Sequence, residues 1–498
     1  MTIDTISSRS TKAFFWVTGG AFGKVAGQLL VQVTLARLLD PVSFGQYAAM
    51  LVVYGLGYIL ADGGFGSALI QKKELHSEDV SLALGWSLMF ASVIVLLIFL
   101  LAPLLANQFG DAALEPMIRV CSILIPFQIV SNISNSLLRR DLHMRGIQII
   151  GVISYTVFFG GVAIVFAIMG WGAWSLIAGF ASQTIFSLVA TYSISRHTLR
   201  IRLMGDRAII HFGLKSMAIE FTSWFMGSIP QFLVGKFWGV YSLGLYSVAF
   251  NLSRAPAVLL VSASQSIAFA SAARLHDNLA AVRKGFQVVL AAIALATLPI
   301  FSLAAFESEA VLNIVYGAKW IKAAPYMTAL AVSIPFFSMG SITAAILRGT
   351  GGVGTELRIQ LVAGVILLGG FLISHDVSLA IAAWAVPLAY LVQFLLLLRV
   401  VRARLELRMM DILHSFRGGF VLSAVGLSMA ALVHRTPEVA SIGMGVMPIL
   451  AGCCAILLLL VFKFSWLLGE PLTALVNAKF FKGRLGATAV SLDKGTVL

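Results

Sequence analysis

Three charged side chains lie in the middle of long apolar segments: Lys24, Glu220 and Arg254. A charge at bilayer depth costs about 2.5 to 3.5 kcal/mol on insertion scales, so such residues normally face a bundle interior or a water-filled cavity. Lysine and arginine placed there bind anionic ligands through charge-assisted hydrogen bonds, whereas a carboxylate exchanges a proton or holds a small cation. We therefore predict an anion site at Lys24 and Arg254, with Glu220 as the candidate for H⁺ or Na⁺ coupling. A structural ion pair between Lys24 and Glu220 is the alternative.

Polar and aromatic residues accompany these charges at helical spacing. Gln28 and Gln32 follow Lys24 at four-residue intervals, and Phe250 precedes Arg254 by the same interval. Residues four apart share one face of a helix. These two faces are predicted to line a wet cavity.

Two further segments carry residues suited to a sugar ligand. Tyr54 and Tyr58 are four residues apart, and aromatic faces beside cations suit sugar rings attached to phosphates. Asn132 and Asn135 are three residues apart and offer amide groups on one helix face. These four residues complete the predicted substrate-binding set. Ordinary packing of the aromatic rings and hydrogen bonding between helices are the alternatives.

The segments that carry these residues are long enough to cross a bilayer. The chain of 498 residues is 59% hydrophobic and only 11% charged, which excludes an ordinary soluble domain. A span needs about 20 apolar residues, and the sequence predicts an all-α protein with fourteen transmembrane helices. Their windows are 13–35, 44–61, 80–105, 117–138, 147–169, 173–194, 209–234, 241–262, 286–306, 323–347, 358–374, 378–400, 417–434 and 442–466.

Basic residues are distributed unevenly between alternate loops. With both termini in the cytoplasm, most of the 35 Lys and Arg fall in cytoplasmic loops, as the positive-inside rule requires. The net charge of +14 then reflects topology and contact with anionic membrane lipid. We expect no nucleic-acid partner.

The two halves of the chain resemble each other. Gln32 and Gly45 recur 199 residues later as Gln231 and Gly244. Six predicted helices separate the copies, so both copies have the same orientation, which predicts two pseudo-symmetric bundles with the substrate site between them. The predicted domains are an N-terminal six-helix bundle over 13–196, a C-terminal six-helix bundle over 209–400, two additional transmembrane helices over 415–468 and a cytoplasmic tail over 469–498.

Motifs for catalysis are absent from the sequence. There is no nucleophile–base pair, no Gly-Lys-Ser/Thr phosphate loop and no HExxH motif. The three cysteines have neither the spacing of a disulfide framework nor that of metal ligands. We predict that the chain is not an enzyme and has no catalytic residues, metal or cofactor.

One segment, from Ala36 to Glu74, carries a distinctive pattern. It reads ARLL-x-P-x-x-FG, then D-x-G beginning at Asp62 and A-x-IQ beginning at Ala68. The pattern resembles bacterial polysaccharide flippases, in particular the colanic-acid and exopolysaccharide exporter branch of the multidrug/oligosaccharidyl-lipid/polysaccharide exporter superfamily. That resemblance implies two six-helix bundles around a central cavity, with two helices appended.

The resemblance also implies a function. Such a flippase translocates undecaprenyl-diphosphate-linked oligosaccharide repeat units across the cytoplasmic membrane for exopolysaccharide or lipopolysaccharide assembly, by alternating access through a cationic central cavity. The implied partners are the anionic polyprenyl-diphosphate-linked oligosaccharide, membrane lipid, and a polysaccharide polymerase and co-polymerase. The implied location is the bacterial cytoplasmic (inner) membrane.

Three alternatives remain open at this point. An ion-coupled multidrug extruder of the same fold would place carboxylates in its cavity. A membrane polysaccharide polymerase would need sizeable outward loops, and the longest predicted one runs only from Glu307 to Ala323. A scaffold without transport activity would leave the buried charges unexplained.

Overall fold

The computed structural model describes residues 3–274 and 279–434 of the chain. Within these ranges every regular element is a helix. The α-helices are α1 Ile3–Leu38, α2 Pro41–Asp62, α3 Phe65–Gln71, α4 Ser77–Gln108, α5 Leu114–Ser122, α6 Ile125–Arg140, α7 Met144–Ile153, α8 Val162–Ile168, α9 Ala173–Ser195, α10 Arg207–Arg274, α11 Leu279–Phe306, α12 Ser308–Val315, α13 Ala324–Gly349, α14 Val353–Ser374, α15 Leu379–Ala382, α16 Ala385–Arg404 and α17 Met409–His434.

Ten of the described helical segments are long and apolar enough to cross a membrane, or eleven if the bent pair α5 and α6 forms one span. One of the ten, Ala208–Val261, has 54 residues and covers the predicted window 209–234 and all but the last residue of the window 241–262. The prediction of an all-helical, multi-pass membrane protein is confirmed. The count of fourteen and the two-bundle layout stay predictions, because the window 442–466 and the tail 469–498 lie outside the described residues.

The described part of the chain forms two compact units, and their residue ranges are not those of the predicted domains. The first unit draws on Met1–Leu259, Val311–Leu330 and Gly364–Val386, and the second on Leu260–Ala310, Ala331–Ala363 and Pro387–Leu498.

The first unit is organised around two sharp changes of direction. Helix α1 ends at Leu38, and α2 begins after Asp40, whose side chain accepts a hydrogen bond from the Ser43 N–H at 2.7 Å. Pro41 occupies the first turn of α2, where its fixed φ suits a helix start and no N–H is needed. Helix α10 breaks at Gly239, which has φ 76° and ψ 177°, a conformation that favours glycine. Each turn leads the chain into a second limb that lines the site.

A π-helix from Ser154 to Gly161 joins α7 to α8 and packs on α1. A Cβ on Gly27 of α1 would lie 2.1 Å from the Thr156 side chain, and a Cβ on Gly160 would lie 2.4 Å from Val31. Glycine on both partners therefore permits the close approach of the two helices. The wider π turn carries Tyr155, which reaches the cavity described below.

The second unit has its own apolar core. Phe286, Leu290 and Ala294 of α11 are buried together with residues of α13, α16 and α17. Gly419 of α17 fits against α11, because a Cβ there would meet the Ala294 carbonyl oxygen at 2.8 Å. Arg283 at the start of α11 donates to the Leu405 carbonyl oxygen at 2.8 Å. The Gly419 contact holds α11 and α17 side by side, and the Arg283 bond ties α11 to the segment between α16 and α17.

Candidate functional site

The first unit contains a cavity of about 380 Å³, which is within the lower part of the size range of small-ligand sites. Its wall is formed by α1, α2, both limbs of α10, the π-helix and α9. Aromatic rings and aliphatic side chains make up most of the wall. The polar residues that line it are Gln28, Gln32, Tyr47, Tyr155, Gln231, Ser247, Asn251 and Arg254.

Three of the nine predicted binding residues meet at this wall: Gln28, Gln32 and Arg254. The Arg254 guanidinium carbon lies 5.3 Å from the centre of the Phe250 ring, a geometry that favours a cation. Phe250 itself lies outside the wall and stacks on Tyr246, with ring centres 6.3 Å apart. Its predicted position next to Arg254 is thus observed, but it contacts the arginine rather than the cavity.

Lys24 lies one helical turn before Gln28 on α1 and is exposed, outside the cavity wall. Glu220 is also exposed, on the first limb of α10. Among the described residues these two side chains form no ion pair, so the structural pair considered above is not present. Arg139 at the end of α6 is near enough for its like charge to act on Lys24. Lys24 therefore lies within electrostatic range of a like charge.

The two tyrosines of α2 pack inside the unit. Tyr54 is buried and stacks on Tyr58 with ring centres 6.4 Å apart and planes 3° apart. Tyr54 also meets the edge of Phe180 at 4.9 Å. Neither tyrosine lines the cavity, so in this conformation the aromatic packing alternative describes them.

The two asparagines of α6 lie away from the cavity wall. The Asn132 amide donates to Asp62 Oδ1 at 2.7 Å, which is the interhelical hydrogen bond considered as the alternative. Asn135 is half-buried, three residues further along α6. Asp62 is only 3% exposed, and its charge is close enough to act on Glu220. A buried carboxylate next to the predicted coupling residue was not among the predicted site residues, although the D-x-G pattern begins there.

Five polar residues of the wall were not among the predicted binding residues: Tyr47, Tyr155, Gln231, Ser247 and Asn251. The internal repeat contained a signal for one of them, because Gln231 is the repeat equivalent of Gln32. Tyr155 had no such signal, since its position depends on the π-helix.

A reciprocal contact between glycines lies next to the lining residues Phe44 and Ser247. A Cβ on Gly45 would lie 1.8 Å from the Val240 carbonyl oxygen, and a Cβ on Gly244 would lie 1.8 Å from the Pro41 carbonyl oxygen. Gly45 and Pro41 are related to Gly244 and Val240 by the same shift of 199 residues. The contact is therefore self-complementary, as at a two-fold axis. We call this contact of Pro41, Gly45, Val240 and Gly244 the sealed end.

Side chains from a distant segment bind the same turn. The Lys319 ammonium donates to the carbonyl oxygens of Arg37 at 2.9 Å and Leu39 at 2.6 Å, and Trp320 Nε1 donates to the Ala36 carbonyl oxygen at 2.8 Å. These bonds satisfy carbonyl groups that every helix leaves free at its C-terminus. Arg37 in turn donates to the Ile314 carbonyl oxygen at 2.8 Å. The ARLL segment is thus tied to the Lys319–Trp320 segment at the sealed end.

A second glycine contact lies at the opposite end of α2. Gly63 and Gly64 both have positive φ, at 61° and 67°. A Cβ on Gly64 would lie 2.5 Å from the Gly213 carbonyl oxygen, and a Cβ on Gly213 would lie 2.6 Å from the Phe65 ring. We call the contact of Gly63, Gly64 and Phe65 with Gly213 the inner turn. It lies 13 residues beyond Leu51, about 20 Å along the helix, so the cavity sits between two glycine contacts.

Charge in the cavity wall is confined to one side. Arg254 is the one Lys, Arg, Asp or Glu among the described lining residues. Its repeat equivalent, 199 residues earlier, is Gly55. The Trp224 indole packs against Gly55, with Nε1 2.7 Å from where a Cβ atom of that residue would lie. The wall therefore combines a single cation with amides, hydroxyls and rings, which suits an anionic, hydroxylated ligand.

Comparison with known proteins gives relatives in polysaccharide assembly. The chain is 27% identical over 324 residues to the succinoglycan biosynthesis transport protein ExoT of Rhizobium meliloti, covering 64% of each chain. It is 24% identical over 383 residues to the teichuronic acid biosynthesis protein TuaB of Bacillus subtilis, covering 74% of this chain and 77% of that one. The chain therefore matches slightly less than two thirds of the length of ExoT.

Among solved structures, the chain is similar to the lipid II flippase MurJ in an inward closed conformation, with a TM-score of 0.73 and 14% identity. The superposition covers 94% of this chain and 99% of that one, which gives the fold. The name of ExoT describes a transport protein, in agreement with the prediction that the chain is not an enzyme. Residues 34–325 match the family described as "Polysaccharide biosynthesis protein". The predicted resemblance is confirmed, and the chain belongs to this family of multi-pass membrane proteins.

Proposed function

We propose that the chain is a flippase for undecaprenyl-diphosphate-linked oligosaccharide repeat units in exopolysaccharide or lipopolysaccharide assembly. The observation that carries the proposal is the wall of the cavity, where one guanidinium stands among amides, hydroxyls and aromatic rings. A diphosphate needs a cation with several donors, and a sugar needs amides and rings. Family membership supports the same substrate class.

In this proposal the diphosphate binds on the side of Arg254, and Lys24 attracts it on its way to the cavity. Lys24 and Arg139 are exposed like charges on α1 and α6, so a diphosphate would relieve their repulsion. The polyprenyl tail stays in the lipid. The sealed end and the inner turn are the two barriers that open alternately.

Ion coupling is proposed for the carboxylates near the inner turn. Asp62 is buried and Glu220 lies close enough for the two like charges to interact. A proton or Na⁺ bound between them would remove that repulsion, and its release would restore it. Binding and release of the ion would thus act on the inner turn, because Gly63 and Gly64 directly follow Asp62 in the chain.

A multidrug extruder is the second candidate of the same fold. Cation exporters are expected to place carboxylates against their substrate, whereas the described cavity wall contains Arg254 and no Asp or Glu. The charge of the wall therefore favours the flippase.

Location and partners follow from the proposed function. The chain would lie in the bacterial inner membrane with both termini in the cytoplasm, so that the sealed end faces the periplasm. The bundles over 13–196 and 209–400 would rock about the cavity. A polymerase and a co-polymerase would receive the translocated repeat unit.

The test is polymer export in cells that depend on this protein. Arg254→Ala and Lys24→Ala should each abolish export while the protein remains inserted, because each removes a cation from the diphosphate path. Lys24→Gln should be as damaging as Lys24→Ala, since the charge and not the length is required. Wild-type export by the double variant would overturn the cavity assignment.

A further inference from the structure

The internal repeat also relates two residues of the cavity wall. Gln231 follows Gln32 by 199 residues, the shift that also relates Gly45 to Gly244. The reciprocal contact of those glycines shows that the shift corresponds to a local two-fold relation in the folded unit. Gln32 on α1 and Gln231 on α10 both line the cavity. The two carboxamides therefore face one space from symmetry-related positions.

One of the two amides lacks a partner. Gln32 Nε2 is buried and has no hydrogen-bond partner among the described residues. A buried donor of this kind is unfavourable unless something accepts from it. Because Gln32 lines the cavity, a bound ligand with an acceptor oxygen would satisfy it.

The surroundings of the glutamines suit a neutral ring with hydroxyl groups. Phe159 stacks on Tyr155 with ring centres 4.8 Å apart and lies 6.2 Å from the Tyr47 ring. All three rings line the same cavity. Carboxamides donate and accept hydrogen bonds with hydroxyl groups, and aromatic rings cover the apolar faces of sugars.

Gln231 and Arg254 lie at different distances from the break in α10. Gln231 lies eight residues before Gly239, about 12 Å from the break in α10, whereas Arg254 lies 14 residues after Val240, about 21 Å along the second limb. By this count the Cα atom of Arg254 lies about 9 Å further from the break than the Cα atom of Gln231. A ligand held by its diphosphate at Arg254 would extend its first sugar toward the two carboxamides.

We propose that Gln32 and Gln231 are specificity-determining residues that hydrogen-bond the hydroxyl groups of the sugar attached to the diphosphate. This inference rests on the proposed function and adds to it: the protein recognises the sugar attached to the diphosphate as well as the anionic lipid. Gln28, whose repeat equivalent is Gly227, has no symmetric partner and is not part of the pair.

The experiment measures flipping in proteoliposomes of full-length protein. The probes are undecaprenyl diphosphate without sugar and the same lipid carrying one glucose, one galactose or one N-acetylglucosamine. We expect the wild type to prefer one sugar-bearing lipid. Gln32→Leu and Gln231→Leu should each lower the rate ratio of that lipid to the sugar-free lipid by about tenfold, the effect of one lost hydrogen bond of the stronger kind.

Two further variants separate recognition from folding. Gln32→Asn keeps the amide on a shorter stem and should retain part of the ratio that Gln32→Leu loses. Gln183→Leu, in α9 and outside the cavity wall, should leave the ratio unchanged. A wild-type ratio in both leucine variants would overturn the inference and leave the flippase proposal standing. A wild-type protein that flips none of the probes would overturn the proposed function and the inference together.

Discussion

The sealed end can be tested by adding a single methyl group. Replacing Gly45 by alanine puts a Cβ 1.8 Å from the Val240 carbonyl oxygen, and real Cβ contacts essentially never fall below 3.0 Å. The two helices must therefore move apart by at least about 1.2 Å at this point. The obstacle is backbone, so no side-chain rotation can relieve it. Gly244→Ala meets the Pro41 carbonyl oxygen at the same distance and should have the same effect.

The size of the effect follows from the cost of overpacking. Forcing extra volume into a close contact costs about 1 to 3 kcal/mol. If the strain is present in the sealed conformation and absent when the end opens, the ratio of open to sealed molecules rises by about 5- to 150-fold. We therefore expect both variants to expose the cavity from the face that carries the α1–α2 turn.

Labelling of a cysteine in the cavity measures that exposure. The reporter is Ser247→Cys, a lining residue next to the sealed end, in a background without Cys121, Cys453 and Cys454. A membrane-impermeant maleimide added on the α1–α2 face should label Gly45→Ala faster than the parent by the same factor. The matched control is Gly227→Ala in α10, where a Cβ would meet nothing within 4 Å.

Equal labelling rates for Gly45→Ala, Gly244→Ala and Gly227→Ala would refute the reasoning. That result would mean that the glycine contact is not the barrier between the cavity and this face. A loss of inserted protein in the glycine variants alone would instead show that the contact is needed in every conformation, which also contradicts a barrier that opens.

Three other outcomes are expected. Lys319→Met should lower the thermal unfolding midpoint by removing two hydrogen bonds to helix carbonyls, each worth about 1 to 3 kcal/mol when lost, whereas Lys322→Met should not. Glu220→Gln and Asp62→Asn should each remove the dependence of flipping on an ion gradient in vesicles; unchanged dependence in both would exclude these carboxylates. The Lys72 hydrogen bond lowers the pKa of Asp206, so the stability of the wild type over Asp206→Asn should be constant above the ordinary carboxyl pKa and vanish as the pH falls through the lowered value.

Sequence patterns predicted the elements well because membrane spans are long and apolar. Gln28 and Gln32 are four residues apart on α1 and both line the cavity, as a shared helix face allows. Phe250, four residues before Arg254, lies outside the wall, and a role of these residues in substrate binding stays a prediction. The same spacing cannot say where along the face a cavity ends, and Lys24 lies one turn beyond it. Nor can it say what a polar residue finds across an interface: Asn132 donates to Asp62, a partner 70 residues away.

Non-local geometry accounts for the remaining differences. Tyr155 reaches the cavity through a π-helix, and no periodicity in the sequence indicates a wider turn there. The internal repeat was more informative than any single motif, because Gly45 and Gly244 meet each other's helices in the folded unit as well as matching in the sequence. The repeat, taken in the sequence as evidence of duplication, thus also marks the glycines at which the two helices meet.

The backbone contacts follow the local two-fold relation, but the charged residue of the cavity wall does not. Gly45 and Gly244 are equivalent in both residue type and contact, and Gln32 and Gln231 are equivalent in type and position. Arg254, by contrast, has Gly55 as its repeat equivalent, and the Trp224 indole packs against that glycine. A symmetric pair can open and close symmetrically, but one guanidinium gives the cavity a direction. A ligand with an anionic end and a neutral end would then bind in one orientation only, which the proposed translocation of a lipid-linked sugar requires.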